Sequence, residues 1–363
     1  MSPKPDAQGT RGTPLRSGPL RVVAIGGGTG LSTLLKGLKR YVPAPADPLF
    51  SSPSKTLIGE LSAVVTVSDD GGSSGRLRKE FNMLPPGDIR NCIVALSEDE
   101  ALLSKLFQHR FSKGSGLEGH SFGNLFLAAL TSITSDFAEA VRQSAEILLT
   151  RGHIFPATTS NVELEAIMED GSRVRGETRI TASKGRIKEL VLVPPDVEPM
   201  PQTLAAIASA DLISIGPGSL FTSLIPNLLV HGIAQAIVES PATKVFICNL
   251  MTQANESLSL TAADHIRALD QHAGGRIFDY ALINRMPASP EMKAKYALEG
   301  ASQIVNDLDA IEAMGVIPVL GDYLLDDKGV ARHNYERVAQ ELLELAVQSR
   351  DTETSRPPAT SRH

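Results

Sequence analysis

The chain has 363 residues, enough for one large or two ordinary domains, and its 42% apolar and 21% charged content is that of a globular protein. A net charge of −6 argues against broad attraction to nucleic acid or an anionic membrane, and 4% aromatics without tryptophan argue against stacking platforms for single strands. The two cysteines, Cys92 and Cys248, lie in apolar stretches and read as core residues of a reducing compartment, with neither a disulfide framework nor zinc spacing.

The first twenty residues are polar and rich in Pro and Gly, with no apolar targeting core, so residues 1–20 are expected to be a disordered tail. RVVAIGG (21–27) is a short apolar run ending in glycines, hence a buried strand. In the helix that follows, Leu31, Leu34, Leu35 and Leu38 share one face, and Lys36, Lys39 and Arg40 stand near the C-terminus, where cations suit the helix dipole. The turn between them, Gly26, Gly27, Gly28, Thr29 and Gly30, could bring backbone N–H groups close to a phosphate. It is neither a P-loop nor a clean G-x-G-x-x-G, and a tight turn is the plainer alternative. A Pro/Ser-rich loop (43–55) leads to a second apolar strand, LSAVVTV (61–67).

SDDGGSSGRLR (68–78) follows that strand. Asp69 and Asp70 could bind sugar hydroxyls, hold a divalent cation or act as a base. Arg76 and Arg78 could take phosphate oxygens, and the composition also suits a solvated loop. PPGDIRN (85–91) opens a helix over 88–97, with Asp88 a good N-cap and Arg90 and Asn91 on the first turn. Residues 99–108 predict another helix. EGHSFGN (118–124) then opens one or two helices over 122–150, with His120 either a polar loop residue or a ligand.

Alternating short runs over 161–193, with turns at Asp170-Gly171 and Lys184-Gly185, predict a β-meander inserted into an α/β chain. A helix near 201–209 and strands at 211–216, 243–249, 278–284 and 315–320 continue the alternation, and the last helix is expected at 334–347. Residues 212–238 lack Asp, Glu, Lys and Arg, but Gly-Pro-Gly, Pro-Asn and His-Gly breaks make a buried strand and short helices the better reading than a membrane span. SIGPGSLFTS (214–223) fixes a sharp turn whose Ser219 and Thr222 can donate to phosphate or sugar oxygens. In CNLMTQANE (248–256), Asn249, Thr252 and Gln253 can read a base edge or sugar hydroxyls.

Short apolar strands separated by helices predict a Rossmann-like, doubly wound α/β fold: a mostly parallel sheet with helices on both faces. One domain is expected over 21–347, carrying the meander, with a second disordered tail over 348–363. In such a sheet, ligands bind at the carboxyl ends of the strands. Six polar, Gly-rich loops on that edge argue for one large polar cleft.

GGGTGLSTLLKGL, TVSDDGGSSGRLR, PPGDIRN, HSFGNL, Pro156-Ala157-Thr158, IGPGSLFTS and CNLMTQANE, in this order, resemble the CofD-like family, most closely its YvcK branch of gluconeogenesis factors. The likeness covers about 20–345. One branch of the family is 2-phospho-L-lactate transferase, which moves a phospholactyl group from a guanylated donor onto a deazaflavin alcohol. The resemblance to the other branch implies a cytoplasmic regulator that binds UDP-N-acetylglucosamine and supports cell shape and wall synthesis under gluconeogenic growth. Asp69 and Asp70 match the acids of the wider family, residues 71–78 match the YvcK pattern, and the low aromatic content leaves little with which to sandwich a deazaflavin.

The resemblance implies that Gly26, Gly27, Gly28, Thr29, Gly30, Gly216, Pro217, Gly218 and Ser219 cradle a diphosphate. Asn249, Thr252 and Gln253 would contact base or sugar. Asp69, Asp70, Ser73, Ser74, Arg78, Asp88, Arg90, Asn91, His120 and Asn124 would line the cleft. No metal site is expected, although Mg2+ could accompany a bound nucleotide. The expected partners are the nucleotide and a cell-wall regulatory protein, with homo-oligomerisation left open. The rival is a transferase in which Asp69 or Asp70 activates an acceptor hydroxyl. A dinucleotide-dependent oxidoreductase is a third reading, against which the broken glycine pattern argues.

Overall fold

The computed structural model describes residues 18–43, 57–98, 102–183 and 185–354. Much of the two expected tails, almost all of the 43–55 loop, the start of the 99–108 helix and Lys184 lie outside them. Seven strands form the central sheet: β1 (Leu20–Gly26), β2 (Ile58–Val65), β3 (His153–Pro156), β7 (Leu212–Ile215), β8 (Thr243–Ile247), β9 (Tyr280–Asn284) and β10 (Ile317–Gly321). Their order is β10-β9-β8-β7-β1-β2-β3, and every neighbouring pair is parallel. This is the expected Rossmann-like architecture. The chain winds outward from β1 to β3, then restarts at β7 and winds the other way, so the topological switch lies between β1 and β7.

The inner strands are apolar on both faces because helices cover both. All four residues of β7 are buried, as are Val22, Val23, Ala24 and Ile25 of β1. Helix α1 (Gly28–Leu38) buries Leu31, Leu34, Leu35 and Leu38 against the sheet, the helix Gly87–Leu96 and the last helix. The helices after β2 are α2 (Gly72–Phe81), α3 (Gly87–Leu96), α4 (Leu102–Gln108), α5 (Phe122–Thr134) and α6 (Phe137–Ile147). The last helix, Tyr335–Thr354, runs past its expected end at residue 347. Arg350 Nη2 lies 2.8 Å from Asp211 Oδ2, and Arg21 Nε lies 3.2 Å from the same oxygen, so one carboxylate ties this helix to the start of the sheet.

The insert is an antiparallel sheet in the order β5-β4-β6, from β4 (Glu163–Met168), β5 (Arg173–Arg175) and β6 (Ile187–Val193). It departs from the expected pure meander. ETRITA forms a helix, α7 (Glu177–Ala182), after Gly176 turns the chain at φ +98°. A second antiparallel hairpin, β11 (Leu324–Asp327) and β12 (Val330–His333), lies beyond β10.

The charge-free region folds as expected into β7 and short helices. Segments Leu220–Leu228 and Ile233–Glu239 are bent by 75°, and Leu220, Leu224, Ile225, Ile233 and Ile237 are buried in the core. Among the described residues, no single helix is long and apolar enough to cross a membrane.

Candidate functional site

The carboxyl ends of β1, β7 and β8 open onto a cleft of about 530 Å³ at the topological switch. After β1 the chain passes Gly27 and Gly28 (φ +61°) into α1. The glycines let three backbones converge. A Cβ at Gly27 would stand 2.5 Å from Thr66 Cγ2 and 2.9 Å from Asp88 Oδ2, and one at Gly30 would stand 2.2 Å from the Pro217 carbonyl oxygen. No side chain caps α1 at Gly27. The Gly28 N–H donates to the Asp88 carboxylate. The N–H groups of Thr29 and Gly30 have no intrahelical acceptor by helix geometry, and they face the position where an anion is favoured.

The turn after β7 is arranged differently. Its helical amides are already engaged: Phe221 and Thr222 N–H donate to Glu256 Oε1 at 2.7 and 3.0 Å. Asn249 brackets Gly218, accepting from its N–H at 3.3 Å and donating to its carbonyl at 2.7 Å. Gln253 Nε2 donates to Ser219 Oγ at 2.8 Å. The loops after β7 and β8 are thus one bonded unit, with Thr252 tied in turn to Ser302. Two buried oxygens of this unit, Gln253 Oε1 and Glu256 Oε2, have no hydrogen-bond partner among the described residues. Gln253 lines the cleft.

Charge divides the cleft. On the β2 and β1 side stand Asp69, Asp88 and Glu177. On the β8 side the hairpin β11–β12 supplies Arg332, the one Lys or Arg among the lining residues, and His333. Burial holds the His333 imidazole down to about 4, so it is neutral at neutral pH. Its Nε2 sits 3.0 Å from the Cys248 carbonyl, which can only accept, so Nε2 carries the proton. Burial, then the nearby Asp69, pushes Asp88 up to about 6, against the pull of the Gly28 N–H and Arg90. Burial and then Asp69, Asp88, Asp70 and Glu256 push Glu177 up to about 9.

Both carboxyls bind protons more tightly in the folded than in the unfolded chain. Stability therefore falls as pH rises from the ordinary carboxylate range through 6 for Asp88 and 9 for Glu177. Urea midpoints should decline between about pH 5 and about pH 9, and Glu177→Gln should flatten the upper part of that decline.

The structure brings together Gly27, Gly28, Thr29, Gly30, Asp69, Asp88, Pro217, Gly218, Ser219, Asn249, Thr252 and Gln253 in this one cleft. The other expected site residues lie outside its lining. Gly26 ends β1, and Gly216 (φ +95°) precedes the β7 turn. Asp70 turns away to α7, where it accepts from the Thr178 N–H at 2.9 Å. Arg78 is buried and bonded to Asn161 Oδ1 at 2.8 Å and to the Val162 carbonyl, so it fastens α2 to the base of the inserted sheet. Behind the start of α3 lies a polar network. Ser73 Oγ meets His120 Nδ1 at 3.0 Å, Asn124 donates to Ser74 at 3.5 Å, and Arg90 donates to Ser121 and Asn91 at 2.7 Å each. Burial, then Arg76, lowers the His120 pKa.

Sequence reasoning missed Glu177, Thr181, Tyr296, Arg332 and His333 in the lining, and Glu256 beneath it. The Asp-Asp-Lys-Gly run at 326–329, flanked by apolar residues, was a signal for the hairpin that carries Arg332 and His333. Nothing local marks Glu177. Among the described residues, no three Asp, Glu, His or Cys side chains come together as a metal-binding group.

The family model described as 2-phospho-L-lactate transferase CofD matches residues 22–324. The chain is 47% identical over 323 residues to a protein of Halalkalibacterium halodurans named gluconeogenesis factor, spanning 89% of this chain and 95% of that one. It is 47% identical over 326 residues to the Bacillus subtilis protein of the same name, spanning 90% and 98%. A crystal structure of a Bacillus halodurans protein superposes with a TM-score of 0.84 at 47% identity, covering 90% of this chain and all of that one.

Proposed function

The chain belongs to the CofD family, and on that footing we propose that it is a cytoplasmic regulator of the gluconeogenesis-factor type whose cleft binds a nucleotide sugar, UDP-N-acetylglucosamine. The observation that carries this reading is the cleft's place and make-up. It lies at the switch between β1 and β7, beside the glycine turn that opens an eleven-residue helix. Its lining is rich in hydroxyls, amides and carboxylates. Such groups suit a diphosphate at Thr29 and Gly30, with hydroxyl-bearing groups on either side.

The transferase alternative needs room and partners for a deazaflavin ring. Tyr296 is the one Phe, Tyr or Trp in the lining, which favours the nucleotide-sugar reading. Should Mg2+ accompany the ligand, the phosphates and one or two of Asp69, Asp88 and Glu177 would hold it, the usual arrangement for that ion. Control of cell shape and wall synthesis would follow from ligand occupancy read by a partner protein.

Calorimetric titration with UDP-N-acetylglucosamine, GTP and NAD, with and without Mg2+, tests this. Selective uridine-sugar binding without turnover is expected. Selective GTP or NAD binding, or phosphoryl transfer to a deazaflavin alcohol, would sink it. Arg332→Ala removes the cation of the β8 side and should weaken binding by about tenfold or more, the worth of one charge-assisted hydrogen bond.

A further inference from the structure

The inserted sheet places a carboxylate in a cleft it otherwise only borders. Helix α7 stands between two cavities. Glu177 and Thr181 line the cleft, while Thr178 and Arg179 line a second cavity of about 550 Å³ on its far side. Asp69 and Asp70, adjacent in the chain, are split across this partition. Asp69 lines the cleft and Asp70 lines the far side.

A six-residue helix is too short to hold itself, and Gly176 offers no side chain to cap it. The cap comes from 108 residues earlier. Asp70 Oδ1 accepts from the Thr178 N–H at 2.9 Å and from its hydroxyl at 2.5 Å. The fit is close, since a Cβ at Gly176 would stand 2.7 Å from Asp70 Oδ2. Glu177 stands between Gly176 and the bonded Thr178 in the chain, so its placement in the cleft depends on Asp70.

The chemistry of that end is specific. Asp69, Asp88 and Glu177 face a region with no Lys or Arg among its lining residues. Charged or protonated, each carboxyl offers an acceptor oxygen to a hydroxyl group, whereas a diphosphate finds no cation in the lining there. Arg332 stands on the β8 side, and β8 lies three strand spacings, about 14 Å, from β2. The phosphates therefore belong in the middle, at α1, with the hydroxyl-rich group on the acidic side.

We propose that Glu177 is a specificity-determining residue for the sugar end of the ligand, and that Asp70 is the positioning residue that holds it in the cleft. This rests on the nucleotide-sugar reading above.

The test compares UDP-N-acetylglucosamine with UDP by calorimetry. Glu177→Ala should weaken the nucleotide sugar by about tenfold and leave UDP within about twofold, while Glu177→Gln, which keeps an acceptor oxygen, should retain most of the affinity. Asp70→Ala should show the same selective loss, together with faster amide exchange over 176–183. Asp70→Asn keeps the Oδ1 acceptor and should restore most of the affinity. Asp70→Ala added to Glu177→Ala should cost nothing further. Equal weakening of both ligands, no weakening of either, or Asp70→Asn as damaging as Asp70→Ala would overturn the proposal while leaving the cleft reading standing. A wild-type protein that binds neither ligand overturns both.

Discussion

Gly30→Ala should lower the urea midpoint and abolish nucleotide binding, although alanine is the better helix former. Gly30 is the third residue of α1, where propensity alone favours alanine by about 1 kcal/mol. The added Cβ, however, falls 2.2 Å from the Pro217 carbonyl oxygen and 2.7 Å from its carbon. Both are backbone atoms, so no rotamer change relieves the clash. The β1 turn and the β7 turn must move apart, at a cost of about 1–3 kcal/mol for overpacking. That movement separates the amides of α1 from the Ser219–Gln253 unit, so the loss of ligand affinity should exceed the loss of stability. Lys36→Ala, exposed on the same helix, is the control and should stay within about 0.5 kcal/mol. A Gly30→Ala protein that binds nucleotide as wild type does would remove the convergence of these turns from the account of the site.

Glu256→Ala should be the more costly change to stability. Its Oε1 accepts from two backbone N–H groups in the core, and alanine leaves both without a partner. Each buried orphan donor costs about 1–3 kcal/mol. Glu256→Gln retains a carbonyl oxygen for the same two donors and should cost much less. Equilibrium urea unfolding of both variants separates the two cases, provided the slopes stay equal. If alanine and glutamine cost the same, the Glu256 side-chain oxygen does not serve as the acceptor for this helix start. The point bears on the ligand, because an N-terminus already satisfied by Glu256 is not available to a phosphate. On the proposed reading, the glycine-rich β7 turn then contributes shape and Ser219, and the amides of α1 are the ones left for a phosphate.

The strands were legible because burial on both faces forces apolar runs such as Val22–Ile25 and 212–215, and the loops were legible because Gly, Pro and Asp cluster between those runs. The seven motifs in order carried the family, which the comparisons bear out. The helix ETRITA was misread as strand. Its cap, Asp70, is supplied by tertiary structure, and a local window contains no sign of it. Arg78 was expected to take phosphate oxygens or to lie in a solvated loop, and by the family resemblance to line the cleft. The fold turns the same guanidinium inward to Asn161 and Val162, where burial lowers its pKa. Neighbours in sequence can face opposite sides of a wall, as Asp69 and Asp70 do.

By itself, then, the sequence determined the doubly wound sheet, its family and the edge on which the cleft lies, because periodicity and turn chemistry are local properties of the chain. Only the tertiary structure decided which polar residues line the cleft and which hold its walls. Whether a carboxylate meets a ligand or a backbone N–H depends on segments more than a hundred residues away, as with Asp70 and Thr178. The residue type is the same in either role, and the contact alone distinguishes them.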